Sequence, residues 1–127
     1  MDKKFLVYAG CEFTIEWYFD DRGKSEAFEY FVALSIIQKK KFAHLFYVLG
    51  DTGKLFNKEK FRYEGDQIYA LKASSDRFLC FFYDGAKVIV AHAYEKKEAK
   101  MPQKEKQKVL KMKIDYIKRC KLGKYYD

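Results

Sequence analysis

The residues with the clearest chemical potential fall between Gln67 and Lys97, in QIYALKASSDRFLCFFYDGAKVIVAHAYEKK. Lys72, Arg77 and His92 stand there, followed by Tyr94 and the pair Lys96-Lys97. Fixed cations grip a phosphodiester and stabilise the charge that builds on it in a transition state. A histidine titrates near neutral pH and can accept or donate the proton that such a transfer moves. Tyr94 offers a ring to stack on a base and a hydroxyl to donate. Lys58, Lys60 and Arg62 come just before and extend the cationic surface. The set suits phosphodiester transfer without a metal. Each member also has a plainer role: His92 as a strand-end histidine bonded to backbone, Lys72 and Arg77 as cations that discourage edge-to-edge strand pairing.

These residues must be positioned by strands. Alternation and tight-turn residues predict strands at Gln67–Ala73, Phe78–Tyr83 and Lys87–Ala93, joined through Ser74-Ser75-Asp76 and Asp84-Gly85. Consecutive strands with short turns give an antiparallel meander. Upstream, Phe13–Phe19 alternates as a half-buried strand, and Phe5–Ala9 is a short apolar run that reads as an extra strand or an extension. Ser25 reads as an N-cap. The apolar rhythm from Phe28 to Leu49 predicts two helices, or one broken near Ser35–Gln38, ended by Gly50 as the glycine after the last turn. Pro102 suits the first turn of a last helix running to about Cys120, with Val109, Leu110, Ile114, Ile117 and Cys120 as its buried stripe. The fold class is α+β: a small twisted antiparallel sheet, made of the three-stranded meander plus the N-terminal strand, with two helices after that strand and one at the C-terminus. One domain accounts for residues 1–127: an extension over 1–12, a core over 13–121 and a tail over 122–127.

Charge narrows the partner. Net charge is +8, and the stretch from Lys96 to Lys124 alone holds twelve Lys/Arg against three acids. Such a localised excess favours a polyanion, nucleic acid before membrane. Rings make up 19% of the residues, to be divided between core packing and base stacking. Three cysteines without short spacing, Cys11, Cys80 and Cys120, argue against a disulfide framework or a zinc site and fit a reducing cytoplasm. The apolar runs are too short for a membrane span. The start, Met1-Asp2-Lys3-Lys4 then Phe5–Ala9, is too short in its apolar part for a signal peptide. His44, beside Phe42 and Leu45, reads as helix packing or helix surface. No Gly-rich phosphate loop appears.

From about Phe13 to Cys120 the chain resembles the phage-associated branch of the RelE/HigB toxin superfamily. The resemblance rests on the aromatic first strand, GKSEAFEYF, FNKEKFRYEGDQIYALK, DRFLCFFYDG and VIVAHAYEKKEAKMPQKE. The last is the most specific: an aliphatic–His step, an aromatic, a Lys pair and a Lys-x-Pro-x-x-Glu helix start. The resemblance implies a RelE-like fold and the toxin of a toxin–antitoxin pair, an endoribonuclease that cleaves mRNA on the ribosome with no cofactor and no metal. It implies His92 as proton-transfer residue, with Arg77 and Lys72 on the scissile phosphate. Lys60, Arg62, Lys96 and Lys97 are then RNA contacts, and Tyr94 a stacking platform. A cognate helix-turn-helix antitoxin would neutralise the toxin, so that DNA is reached only through that partner. The chain departs from the family pattern at Ala70, where an acid is common, at Lys72, where Arg is usual, and at Met101, where a small polar cap is usual. A non-catalytic RNA- or ribosome-binding module, or a degenerate toxin homologue, is the rival expectation.

Overall fold

The computed structural model describes residues 4–54 and 59–127; Lys58 lies outside them. Among the described residues the order is β1 (Leu6–Ala9), β2 (Thr14–Trp17), α1 (Glu26–Ala33), α2 (Ile36–Thr52), β3 (Phe61–Tyr63), β4 (Tyr69–Ala73), β5 (Asp76–Tyr83), β6 (Lys87–Glu95) and α3 (Gln103–Lys121). The class is α+β, as expected, but the sheet is larger than four strands and is mixed. Six strands lie in the order β1-β2-β6-β5-β4-β3.

The meander β4–β5–β6 is antiparallel. β2, by contrast, runs parallel to β6, from Thr14↔Lys87 to Trp17↔Val90. The α1–α2 pair lies between β2 and the rest of the sheet in sequence, and a crossover of this kind is what a parallel neighbour needs. The apolar run Phe5–Ala9 supplies a strand, β1, antiparallel to β2, whereas β3 escapes a periodicity reading because three residues hold too little alternation to detect.

Helices cover both faces of the sheet. On one, Trp17, Phe42, Phe46, Leu49, Phe78 and Val90 form a core under α1 and α2. On the other, Ile68, Leu79, Phe81, Ile89, Val109 and Tyr116 pack under α3. Ser25 caps α1 and Ser35 caps α2, so the break falls just before Ser35 and the lysine run Lys39–Lys41 stays helical. Gly50 is not the terminating glycine. α2 ends at Gly53 with φ 74°, while Gly50 lies inside the helix, where its carbonyl accepts from the N–H groups of Glu12 and Phe13. A Cβ on Gly10 would stand 2.2 Å from the Gly50 carbonyl carbon, so both glycines serve the close crossing of two backbones.

α3 also differs from expectation. Its inward face is Glu105, Val109 and Tyr116, whereas Ile114 is 69% exposed. The spacing from Val109 to Tyr116, two helical turns, sets the buried line, and Ile114 falls on the far side of the cylinder. Among the described residues no helix is long and apolar enough to cross a membrane.

Candidate functional site

α3 covers only part of its sheet face. Beyond its N-terminus the same face continues uncovered, and strand pairing decides what it displays. Lys72 of β4 pairs with Arg77 of β5, and Arg77 pairs with Tyr94 of β6. Side chains directly opposite in neighbouring strands share a face. Ala70 and Leu79, two residues from Lys72 and Arg77, lie in the α3-side core, so the cations project to the α3 side. Arg62 pairs with Ala70 and joins them from β3.

A groove of about 170 Å³ results, lined by Arg62, Glu64, Lys72, Arg77, Tyr94, Lys96 and the segment Ala99–Met101. Its volume suits roughly five or six waters, hence one phosphate with its oxygens rather than a whole nucleotide. Arg77 is aimed by its turn: its Nη1 donates to the carbonyls of Ser74 (2.8 Å) and Asp76 (2.9 Å). The N–H of Lys96 donates to the Ser75 carbonyl at 2.7 Å and anchors the far wall. Lys106 of α3 meets Asp66 at 2.7 Å, which ties the β3–β4 loop to the start of the helix. Asp66 and Gln67 in that loop have φ of 52° and 64°, a left-handed conformation that side-chain-bearing residues adopt at some cost.

The electrostatics are one-sided. Arg62 and Glu64 pair at 3.3 Å, and Glu64 is the one acid in the lining. The Lys72 ammonium is held below its usual pKa by burial, then by the nearby charges of Arg77, Lys96 and Arg62. The Tyr94 hydroxyl is pushed up to about 12, first by burial and then by Glu64. It therefore remains a neutral donor across the physiological range. An anion in the groove would relieve the repulsion among Lys72, Arg77, Lys96 and Arg62.

His92 is beside the groove and not in its lining. Its ring is only 4% exposed and stacks on Tyr94, with centroids 6.5 Å apart and planes at 17°. Nδ1 lies 2.9 Å from Glu26 Oε2 and Nε2 3.4 Å from Glu105 Oε1. Neither contact has hydrogen-bond alignment, so they are close neighbours rather than directed bonds. The two carboxylates face opposite ring nitrogens and do not converge on a common point.

The structure thus brings together five of the eight expected residues in one lining: Lys72, Arg77, Arg62, Tyr94 and Lys96. The other three do not join it. His92 is walled off behind Tyr94. Lys60 faces the α2 side, against Lys40, Lys41 and His44. Lys97 is largely exposed, 3.8 Å from Glu95. Sequence reasoning missed Glu64 and Lys100 in the wall, and Glu26 and Glu105 around His92. Lys100 and Glu105 could have been found, since both belong to the Lys-x-Pro-x-x-Glu helix start; nothing local marked Glu26.

A family model described as phage derived protein Gp49-like (DUF891) matches residues 29–113, which include every residue of the groove lining. The match covers more than half of the chain, and the chain belongs to this family. No curated protein matches it.

Proposed function

We propose that this Gp49-like protein is the toxin of a toxin–antitoxin pair and cuts mRNA on the ribosome by metal-free transesterification. Its family is associated with RelE-like toxins. The observation that carries the reading is the groove: five cations, Arg62, Lys72, Arg77, Lys96 and Lys100, from three neighbouring strands and the loop after β6, with a tyrosine ring on the floor and room for one phosphate. In the proposed step the ribose 2′-oxygen attacks the adjacent phosphorus, the bond to the 5′-oxygen breaks, and a cyclic phosphate and a 5′-hydroxyl result. One proton leaves the 2′-oxygen and one arrives at the 5′-oxygen. Arg77 and Lys72 hold the phosphate and its developing charge, Arg62 and Lys96 guide the strand, and Tyr94, 9% exposed, takes a base only after the 96–101 segment has moved aside. His92 is the proton-transfer residue, and the 96–101 segment or Tyr94 must shift for substrate to reach it. Lys60 and Lys97 act outside the groove, on flanking phosphates. The toxin works in the cytoplasm, and a helix-turn-helix antitoxin neutralises it.

A second reading has an observation of its own. The burial of His92 between Glu26 and Glu105 leaves the groove without an exposed proton carrier, which suits a module that binds RNA or the ribosome and cuts nothing. Inducing the wild type, His92→Ala and Arg77→Ala in parallel and mapping mRNA 5′ ends, with purified ribosomes in vitro, separates the two. New ends inside translated codons, lost in both variants, support the nuclease. Ends that persist in His92→Ala remove its assigned role, and an absence of ends from folded wild type supports the binding module.

A further inference from the structure

The charge excess in the sequence is greatest in a part of the molecule that the groove does not use. The solvent side of α3 carries Lys104, Lys108, Lys111, Lys118 and Lys121, with only glutamines and Ile114 between them. At 1.5 Å per residue these lysines span about 25 Å along the helix, as a ridge on its solvent side. The acids of the helix are both turned away from it. Glu105 is buried against His92, and Asp115 is held by Arg119 and by the Tyr18 hydroxyl. Among the described residues Lys104, Lys111, Lys118 and Lys121 have no carboxylate within ion-pair distance, and Lys108 has only Glu105, at 3.8 Å. Nor does the ridge present a ring: Tyr116, the aromatic residue of α3, is fully buried.

We infer that this ridge docks on the phosphate backbone of double-helical RNA, as a second contact separate from the groove. Ammonium groups fixed along a rigid helix match a backbone whose charges are themselves fixed. A single strand gains much of its affinity from base stacking, which needs exposed rings that the ridge lacks. The ridge starts four residues beyond Lys100, which lines the groove, so one RNA with a double-helical part beside an unpaired part would span both. The inference rests on the RNA-binding reading above, and not on cleavage.

The test uses the full chain and a variant that combines Lys104→Gln, Lys111→Gln, Lys118→Gln and Lys121→Gln, with the four Lys→Arg changes as a charge-preserving control. Binding of a blunt RNA duplex of about 20 base pairs is followed by fluorescence anisotropy against salt, a length chosen to exceed the ridge. The Gln variant is expected to lose at least tenfold in affinity, and its log–log salt slope is expected to shrink by roughly 3 to 4. The Arg control keeps both, and a short single-stranded oligonucleotide binds all three proteins alike. Three results overturn the inference: an unchanged duplex slope in the Gln variant, equal loss for the single strand, or tight binding to phosphatidylserine vesicles with none to duplex RNA. Equal affinity for a DNA duplex of the same length overturns the choice of RNA. Failure of cleavage alone leaves this inference standing and removes only the nuclease reading.

Discussion

The two ends of the α3-covered face are both polar, and they are built on opposite terms. At the end away from the groove the carboxylates of Glu16 and Asp115 each meet a cation. The Glu16 side chain, fully buried, accepts from the Tyr126 hydroxyl at 2.6 Å and meets Lys87 Nζ at 3.3 Å. Tyr126 and Tyr116 share a 2.7 Å hydrogen bond, and Arg119 binds both Asp115 and the carbonyl of Phe19. Phe5, from before β1, and Tyr125, from after α3, close the cluster with rings 5.1 Å apart. At the groove end five cations share one acid. Buried polar groups are stabilising only when satisfied, so the first end reads as a clasp between the segments before β1 and after α3. The second sustains like-charge repulsion that nothing in the fold needs. A fold keeps such an arrangement where a ligand completes it.

Two substitutions test this division most strongly. Arg77→Ala removes the guanidinium that the Ser74–Asp76 turn aims across the groove. RNA cleavage is expected to fall roughly 10²- to 10³-fold, with a stability cost of only about 1 kcal/mol for the lost turn contacts. Single-turnover cleavage and urea unfolding on the same preparation measure both; a large loss of stability with unchanged activity would reverse the assignment of the two ends. Glu16→Ala is the mirror experiment. It removes the carboxylate that the Tyr126 hydroxyl donates to and that Lys87 meets, and is expected to cost about 3 kcal/mol, while RNA affinity of the folded protein stays the same. If RNA binding weakens in step, the clasp and the groove are coupled and the comparison fails.

The sequence announced the groove more clearly than it announced the clasp. Lys72 and Arg77 flank the turn expected at Ser74-Ser75-Asp76; the hairpin is tighter, with Asp76 already paired to Ala73, and this sets Lys72 opposite Arg77. Period two then puts Tyr94 and His92 on the same face. What period two could not tell is depth. His92 is sealed because Glu26 comes from α1 and Glu105 from α3, 66 and 13 residues distant in a chain whose path between them is tertiary. The parallel pairing of β2 with β6 was hidden for the same reason, since two helices separate the strands. The clasp joins residues more than 100 positions apart, as in Glu16 to Tyr126, and no local pattern reports such a contact. Exposed Ile36 and Ile37, at 71% and 69%, show the converse: a helical rhythm of apolar residues locates a helix but does not say which of them are covered.

Smaller effects sharpen the contrast. Lys72→Gln removes one of the crowded cations. Its melting temperature is expected to rise by roughly 1–2 °C, while the log–log salt slope of RNA binding shrinks by about 0.7 to 0.9. Thermal melts and binding isotherms on one preparation decide this; a lower melting temperature would show that Lys72 is structural.

Alkali should then move the two ends in opposite directions. In the clasp, burial raises the hydroxyls of Tyr18, Tyr116, Tyr125 and Tyr126 above the ordinary value of 10.0, with Asp115 adding to the rise at Tyr18 and Glu16 at Tyr126. The folded chain thus keeps protons that the unfolded chain gives up. The stability they contribute is complete below pH 10.0 and is lost as pH rises through the raised values. Lys72 has the reverse sign. Its folded pKa is below 10.5, so between the lowered value and 10.5 the unfolded chain binds the extra proton, and stability from this group rises with pH. Urea unfolding from neutral pH to about 11 in wild type, Lys72→Gln and Tyr126→Phe resolves the two. The Gln variant is expected to lose the rise, and the Phe variant to lose part of the steep fall. If both variants follow the wild-type curve, neither end controls the alkaline limb, and the distinction between a satisfied clasp and a strained groove has no energetic content.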